Sequence, residues 1–373
     1  MTQTSDVLVI GAGIIGASCA RSLARLGLRV RVLEAGAAPA AGSTGKSAAG
    51  VRVQFSQEVN ILLSQRSIQE YRQMPEAQYR PQGYLMLLPE RLWPGHARGL
   101  ARQQALGLNV RELSISEAQQ LVPFDPTGVV GTTYGAQDGV VDPHGITLAF
   151  LREARSWGAT LHTSCPVEVL AHRSGVWSAS TPLGTFEAPL LVNAAGAWSG
   201  EVAALAGLTV PVQPARRMVF TTGPLPDHHA CPMTFDLTSG FWLRSEGERL
   251  IMGLSNPHDQ GFRDGMDWSW LEPTLEAGLA RFPWLEQAGL DRRASWWGYY
   301  EVTPDHAPIL GLMPGVPGWI NACGFSGHGV MQAAAVGEVM AQEATGGNLS
   351  INIDALRFER FGRQVTQDEH LIV

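Results

Sequence analysis

The sequence predicts a mixed α/β and α+β fold: a parallel-sheet domain interrupted twice by segments that build an antiparallel sheet. Three observations carry this. The chain opens with a complete βαβ pattern over residues 6–34. It returns to short, buried-looking strands at residues 190–193 and 319–323, each running into small residues. Between them, residues 84–135 and 213–297 change to strand-like alternation punctuated by turns. The reading assigns 1–83, 136–212 and 298–373 to the first domain, and 84–135 with 213–297 to the second, substrate-side one.

The first strand is Val7, Leu8, Val9 and Ile10, too short for a core helix and branched enough for a buried parallel strand. It enters Gly11-Ala12-Gly13-Ile14-Ile15-Gly16. A helix over 17–26 follows, stopped by Gly27, and the strand 30–33 ends on Glu34. Gly11 permits the tight turn, Gly13 lets backbone approach a pyrophosphate, and Gly16 lets helix and sheet pack closely. The helix N-terminus then presents bare N–H groups to the anion. Glu34 accepts hydrogen bonds from a ribose and repels a 2′-phosphate, which disfavours NADP. The unit binds a dinucleotide, FAD or NAD.

After Glu34 the chain becomes small and polar: Ala40, Ala41, Gly42, Ser43, Thr44, Gly45, Lys46, Ser47, Ala48, Ala49 and Gly50. This nearly spells a P-loop, but Ala40 replaces its first glycine and the preceding strand is already committed. A loop with successive free N–H groups, lying against a flat ring or a phosphate, fits better. A helix is expected over 57–74, a strand at 84–88, a polar helix within 89–114, and a helix over 116–121 capped by Ser116. Residues 143–157 form a helix capped by Gly158, followed by a strand pair at 160–162 and 166–170. The strand ending at Asn193 leads into Ala194, Ala195 and Gly196, which bring backbone close to the same cofactor, and a helix starts near Ser199. Short strands fill 211–249, and tryptophans cluster at Trp268, Trp270, Trp284, Trp296 and Trp297. The loop 324–329 opens a helix over 330–345 and offers a second site for negative charge.

Bulk properties bound the function. With 373 residues the chain suits two domains, and 45% hydrophobic content describes a soluble globular protein. A net charge of −7 argues against nucleic acid or an anionic membrane as partner. Neither a signal peptide nor a spanning run is visible, so a cytoplasmic protein is expected. Cys19, Cys165, Cys231 and Cys323 are widely spaced and read as buried thiols of a reducing compartment. The histidines are scattered, apart from His228-His229 in a proline-rich loop, and no metal site is expected. Lys46 is the single lysine among 27 basic residues. Either it survived by chance or it stands where arginine cannot serve, since only lysine shifts its pKa readily.

In its four signatures (residues 11–34, 43–50, 193–199, and 303–311 with 324–329) the whole chain resembles FAD-dependent amine oxidoreductases of the D-amino-acid oxidase and sarcosine oxidase superfamily. The resemblance implies a discontinuous Rossmann-type FAD domain, with an antiparallel sheet roofing the flavin. It implies hydride transfer from the carbon bearing an amine to flavin N5, hydrolysis of the imine, and reoxidation by dioxygen or another acceptor. The substrate implied is a small amino acid or a secondary or N-methylated one, such as glycine, sarcosine or proline. FAD contacts are expected from Gly11, Gly13, Ile14, Ile15, Gly16, Glu34 and Ala35, and from Ser43, Thr44, Lys46, Ser47, Ala48, Ala49 and Gly50. Val167, Ala194, Ala195, Gly196, Trp198 and Gly298 follow, then Phe325, Ser326, Gly327, His328, Gly329, Val330 and Met331.

Departures from the family narrow the reading. D-amino-acid and glycine oxidases place a carboxylate-binding arginine where Tyr300 stands. Monomeric sarcosine oxidases place a lysine near Met331, and their flavin-linking cysteine falls near Gly298. No histidine stands near Arg52, so non-covalent FAD is expected. The chain resembles most the sarcosine oxidase β-subunit and dye-linked L-proline dehydrogenase, which share the loop 324–329 followed by methionine. Arg52 and Arg244 become the candidates for the substrate carboxylate. Tyr299 and Tyr300 either roof the substrate or pack, and Lys46 is expected beside the flavin, assisting reduction or reoxidation. The alternatives are 2-hydroxy-acid oxidation, and a flavin-bearing subunit or assembly factor acting in a homo- or hetero-oligomer.

Overall fold

The computed structural model describes residues 2–225 and 230–362, so His228, His229 and the end of the last expected segment lie outside the described residues. Its centre is a six-stranded sheet in the order Ile309–Leu312, Trp319–Cys323, Leu190–Asn193, Val7–Ile10, Val30–Leu33, Thr160–His162. All neighbours pair parallel except the first two. The four residues of Val7–Ile10 are buried because both faces of the sheet are covered. Val7 and Val9 pack under the helices Ile14–Arg25, Glu58–Tyr71, Pro143–Ser156 and Gly329–Ala344. Leu8 and Ile10 meet Leu170, Trp177 and Phe186 of a four-stranded sheet on the other side. That sheet orders Thr2–Thr4, Gly184–Ala188, Val176–Thr181, Val169–Arg173. The expected pair at 160–162 and 166–170 therefore does not form. Thr160–His162 extends the central sheet, and the following strand joins the small one.

An eight-stranded sheet stands over the carboxyl ends of the central strands. Its order is Trp296–Val302, Gln213–Thr221, Arg249–Gly253, Phe241–Glu246, Met233–Asp236, Tyr84–Leu88, Gly131–Gly135, Val110–Leu113. Both interrupting segments contribute to it. It is antiparallel except where Met233–Asp236 joins Tyr84–Leu88 in parallel, the seam at which the two segments meet. The expected boundary at residue 298 falls inside its edge strand, which pairs along Gln213–Thr221 from Val302 back to Trp296. The polar stretch after residue 89 makes the helix Trp93–Ala105. The next helix, Ile115–Leu121, is capped by Ser114 in a capping box with Glu117, not by Ser116. Ser116 is already inside the first turn, where its hydroxyl cannot reach the N3 amide.

Candidate functional site

A cavity of about 520 Å³ runs between the two large sheets. Its floor lies where the chain leaves Ile10, Leu33 and Asn193, at the point where successive connections from the central sheet go to opposite sides. Crevices at such a reversal are where open α/β sheets bind ligands. Gly11, Gly13, Ile14, Ile15, Glu34 and Ala35 line it. Gly11 has φ of 101°, and a Cβ there would stand 2.4 Å from Ala194 O, so only glycine fits. Gly13 caps Ile14–Arg25 with no side chain of its own; Ile14 N donates to Thr44 Oγ1 at 3.1 Å, and the next amides of the first turn are left to a ligand. Gly16 does not line the cavity. A Cβ on it would meet Gly11 O at 2.0 Å, so it serves close packing of helix on turn. The Glu34 carboxylate is oriented by the amides of Ala12 and Gly36, both at 2.7 Å. Each oxygen keeps a lone pair for a ribose hydroxyl.

The segment 43–50 forms one wall, contributing Ser43, Thr44, Lys46, Ser47, Ala48, Ala49 and Gly50. Its amides are less free than expected: Gly45 donates to Ala40 O, Lys46 to Ser43 O and Ser47 to Thr44 O. Tight turns, not a phosphate nest, hold this wall. Val167, Ala194, Ala195, Gly196 and Trp198 complete the far side. The second helix N-terminus, at Gly329–Ala344, has no side-chain cap. Ser326, Gly327, His328, Gly329, Val330 and Met331 line the cavity there. Phe325 does not; it is fully buried in the helical core below.

The roof is where expectation and structure part. Arg52 lines the cavity, with its guanidinium 4.1 Å from the Phe55 ring centroid and bonded to Gln54 O. Its Nη2 donates to His328 Nε2 at 3.4 Å. Because a guanidinium only donates, His328 carries its proton on Nδ1. Burial and the charge of Arg52 keep that ring neutral, well below the usual histidine range. Arg244 does not line the cavity. It is buried and turned to Ala48 O, at 2.9 Å from Nη2, to Ser245 O and to Glu246. It joins the wall to the roof, and its donors are occupied.

Sequence reasoning missed Arg217, on Gln213–Thr221, and Glu301, both lining the cavity. Burial lowers the Arg217 guanidinium, which stands 5.3 Å from the Tyr300 ring centroid. Burial pushes Glu301 up to about 7, against the pull of the Gly324 and Phe325 amides. The signal for Arg217 was present as an arginine pair in a strand, since adjacent strand residues face opposite ways. Tyr300 also lines the cavity, and its hydroxyl has no protein hydrogen bond among the described residues. Tyr299 is different: its hydroxyl donates to Arg263 O and accepts from Arg263 N, both at 2.7 Å. Lys46 Nζ sits 4.0 Å from the Trp297 ring centroid, while Trp296 Nε1 bonds Lys46 O at 2.9 Å.

The long crevice, two open helix N-termini and a ribose-facing carboxylate fit a dinucleotide of FAD size. The chain belongs to the family described as "DAO: FAD dependent oxidoreductase", which it matches over residues 6–343. It is an FAD-dependent oxidoreductase. Among relatives it is 30% identical to FAD-dependent oxidoreductase domain-containing protein 1 of Bos taurus, covering 100% of this chain and 87% of that protein. It is 25% identical to mitochondrial sarcosine dehydrogenase of Mus musculus, covering 98% of this chain but 42% of that longer protein. The solved L-proline dehydrogenase of P. horikoshii superposes with a TM-score of 0.89 at 27% identity, over 98% of this chain and 100% of that one. No helix among the described residues is long and apolar enough to cross a membrane.

Proposed function

We propose that the protein oxidises the C–N bond of a small amino acid, primary, secondary or N-methylated, using non-covalent FAD. The imine product is released to hydrolysis, and dioxygen or another acceptor takes the electrons. The bound flavin supplies the hydride-accepting ring. The observation that carries the reading is the roof's charge. Arg217 lines it, with Arg52 and Lys46 on the adjoining wall; His328 is neutral, and burial raises Glu301 to about 7, so that only part of it is charged at neutral pH.

Such a wall does two things to an amino acid. It attracts the carboxylate, with Arg52 as the anchor, and it lowers the pKa of the ammonium, since like charge disfavours the protonated amine. Hydride leaves readily only when the nitrogen lone pair is free, so a neutral amine is the reactive form. Tyr300 offers its unpaired hydroxyl to the substrate. No nucleophile is needed. Lys46, held over Trp297, is the cation we assign to reduction or reoxidation. Cys165 is the cavity's thiol and stands beside Glu34, at the ribose end, which supports non-covalent flavin.

The same proposal places the cofactor on segments 1–83, 136–212 and 298–373, and the substrate against 84–135 and 213–297. The edge strand Trp296–Val302 is shared by both. The buried, unpaired cysteines support a reducing, cytoplasmic setting. Sarcosine, dimethylglycine and L-proline dehydrogenases among the similar proteins support an amine substrate.

The test is anaerobic addition of glycine, sarcosine, L-proline, D-amino acids and 2-hydroxyglutarate, one at a time, to the yellow protein. Bleaching by an amine is expected, and admitted air then distinguishes oxidase from dehydrogenase. Bleaching only by the hydroxy acid overturns the substrate class, and bleaching by none points to a subunit that needs a partner. Unchanged half-reaction rates in Lys46→Met would remove that residue from the chemistry.

A further inference from the structure

Arg216 and Arg217 are neighbours on one strand, so its period of two sends them to opposite faces. Their surroundings differ sharply. Arg216 Nε bonds Asp259 Oδ2 at 2.9 Å, Nη1 bonds Gly265 O at 2.8 Å, and Asp267 lies 3.7 Å from Nη2. Arg217 faces the cavity and has no carboxylate within ion-pair distance among the described residues. Its Nη1 bonds Arg216 O at 3.0 Å and Asn256 O at 3.4 Å. Its Nε is buried without a partner, and Nη2 bonds nothing among the described residues. Asp259, whose charge reaches Arg217, is committed to Arg216.

A guanidinium cannot discharge itself by losing a proton, so an enclosed one calls for an anion. None of the described residues provides it. The dinucleotide's own phosphates belong at the open helix N-terminus beside Gly13, on the floor, whereas Arg217 is in the roof beside Tyr300. If Arg52 anchors the reacting amino acid's carboxylate, Arg217 is left for another negative group on the same molecule.

We propose that Arg217 recognises a second anionic group of the substrate, so that the site takes a dicarboxylic amino acid or an N-carboxyalkyl amine. This rests on the amine-oxidation reading and specifies its substrate class. With Nε sealed by the protein and Nη1 committed to carbonyls, Nη2 is the donor left for a ligand, and a charge-assisted hydrogen bond from it selects an acidic group.

The experiment compares the FAD-bound wild type with Arg217→Met and Arg217→Lys. Non-reacting acids are titrated first, malonate and succinate against acetate and propionate, and read as perturbations of the flavin spectrum. Anaerobic reduction is then compared for sarcosine and iminodiacetate, which differ by one carboxylate. The wild type is expected to favour the dicarboxylate of each pair by about tenfold or more. Arg217→Met loses that preference, weakening the dicarboxylates about tenfold more than acetate, with FAD retention unchanged, and Arg217→Lys recovers part of it. Equal losses for both acid classes would make Arg217 the anchor of the single carboxylate. Weaker FAD retention in Arg217→Met would assign it to the cofactor, and absence of a dicarboxylate preference in the wild type also overturns the proposal. The non-reacting acids need no turnover. A protein that no amine bleaches therefore contradicts the amine reading while the dianion preference is still measured.

Discussion

On the floor of the cavity Gly11 and Gly13 meet a ligand with bare main chain, whereas on the roof Arg217 and Tyr300 meet it with long side chains. The two walls therefore fail in different ways when altered. A floor made of backbone tolerates no extra atoms, because the atoms around it are themselves main chain. A roof made of side chains keeps its shape when one is shortened, and loses only what that side chain held.

The largest effect is expected on the floor, and it divides the two glycines. In Gly11→Ala the new methyl meets Ala194 O at 2.4 Å, and φ of 101° is unfavourable for any L-residue. Two rigid backbone segments must part, at a cost of roughly 2–5 kcal/mol. Flavin absorbance after desalting should vanish and the melting temperature should fall. In Gly13→Ala the methyl meets only Thr44 Oγ1, at 3.2 Å, a side-chain atom that needs to give by a few tenths of an ångström while it accepts from Ile14 N. That variant should keep its fold and most of its flavin, and a bulkier residue there should not. Equal damage from both alanines would break the distinction, because it would mean that the ligand, not Ala194, sets the limit.

On the roof the informative contrast is between arginines. Arg244→Met removes the donors that satisfy Ala48 O and Ser245 O, and Ser245 is buried. We expect about 1–3 kcal/mol of lost stability in urea denaturation. Substrate KM should not change, because the side chain is turned away from the cavity. Arg52→Met should do the opposite, raising KM by about tenfold or more through loss of a charge-assisted contact. If Arg244→Met raises KM as far as Arg52→Met does, the wall at Ala48 is part of substrate binding and not only its support.

This contrast also explains what could be read from the sequence. Backbone sites leave a local trace: the turn at Gly11, the cap at Gly13 and the acid ending Val30–Leu33 are fixed by neighbours within a few residues. The sheet that covers them was legible for the same reason, as runs of alternation. What was not legible depends on pairing between distant strands. Nothing near Arg244 in the chain says that Ala48 will lie beneath it, and nothing near Arg217 says that Asp259 will bond Arg216 instead. The parallel seam between Met233–Asp236 and Tyr84–Leu88 is hidden likewise, because it joins the two separate interruptions of the domain.

Glu301 stands on the line where floor and roof meet, and the smallest expected effect belongs to it. Its carboxyl accepts from Gly324 N at 2.8 Å while its strand forms the roof's edge. Its folded-state value of about 7 lies above the ordinary 4.5, because burial disfavours the charge. A raised acid contributes stability that is fully present below its ordinary value and is lost as pH rises through the folded one. From Glu301 alone, stability should therefore fall between about pH 4.5 and pH 7, by roughly 1–3 kcal/mol. Asp138, raised by burial to about 7, acts over an overlapping window, starting from its ordinary 3.8. His328 and His96, both lowered by burial, act in the opposite sense and cost stability as pH falls below 6.5. The wild-type profile is thus a sum, and the clean quantity is its difference from Glu301→Gln, which keeps an acceptor for Gly324 N and cannot ionise. Urea melts across that range should show the glutamine variant gaining on the wild type toward pH 7. Parallel curves would mean that the carboxyl is solvated, and that water reaches the junction between backbone floor and side-chain roof.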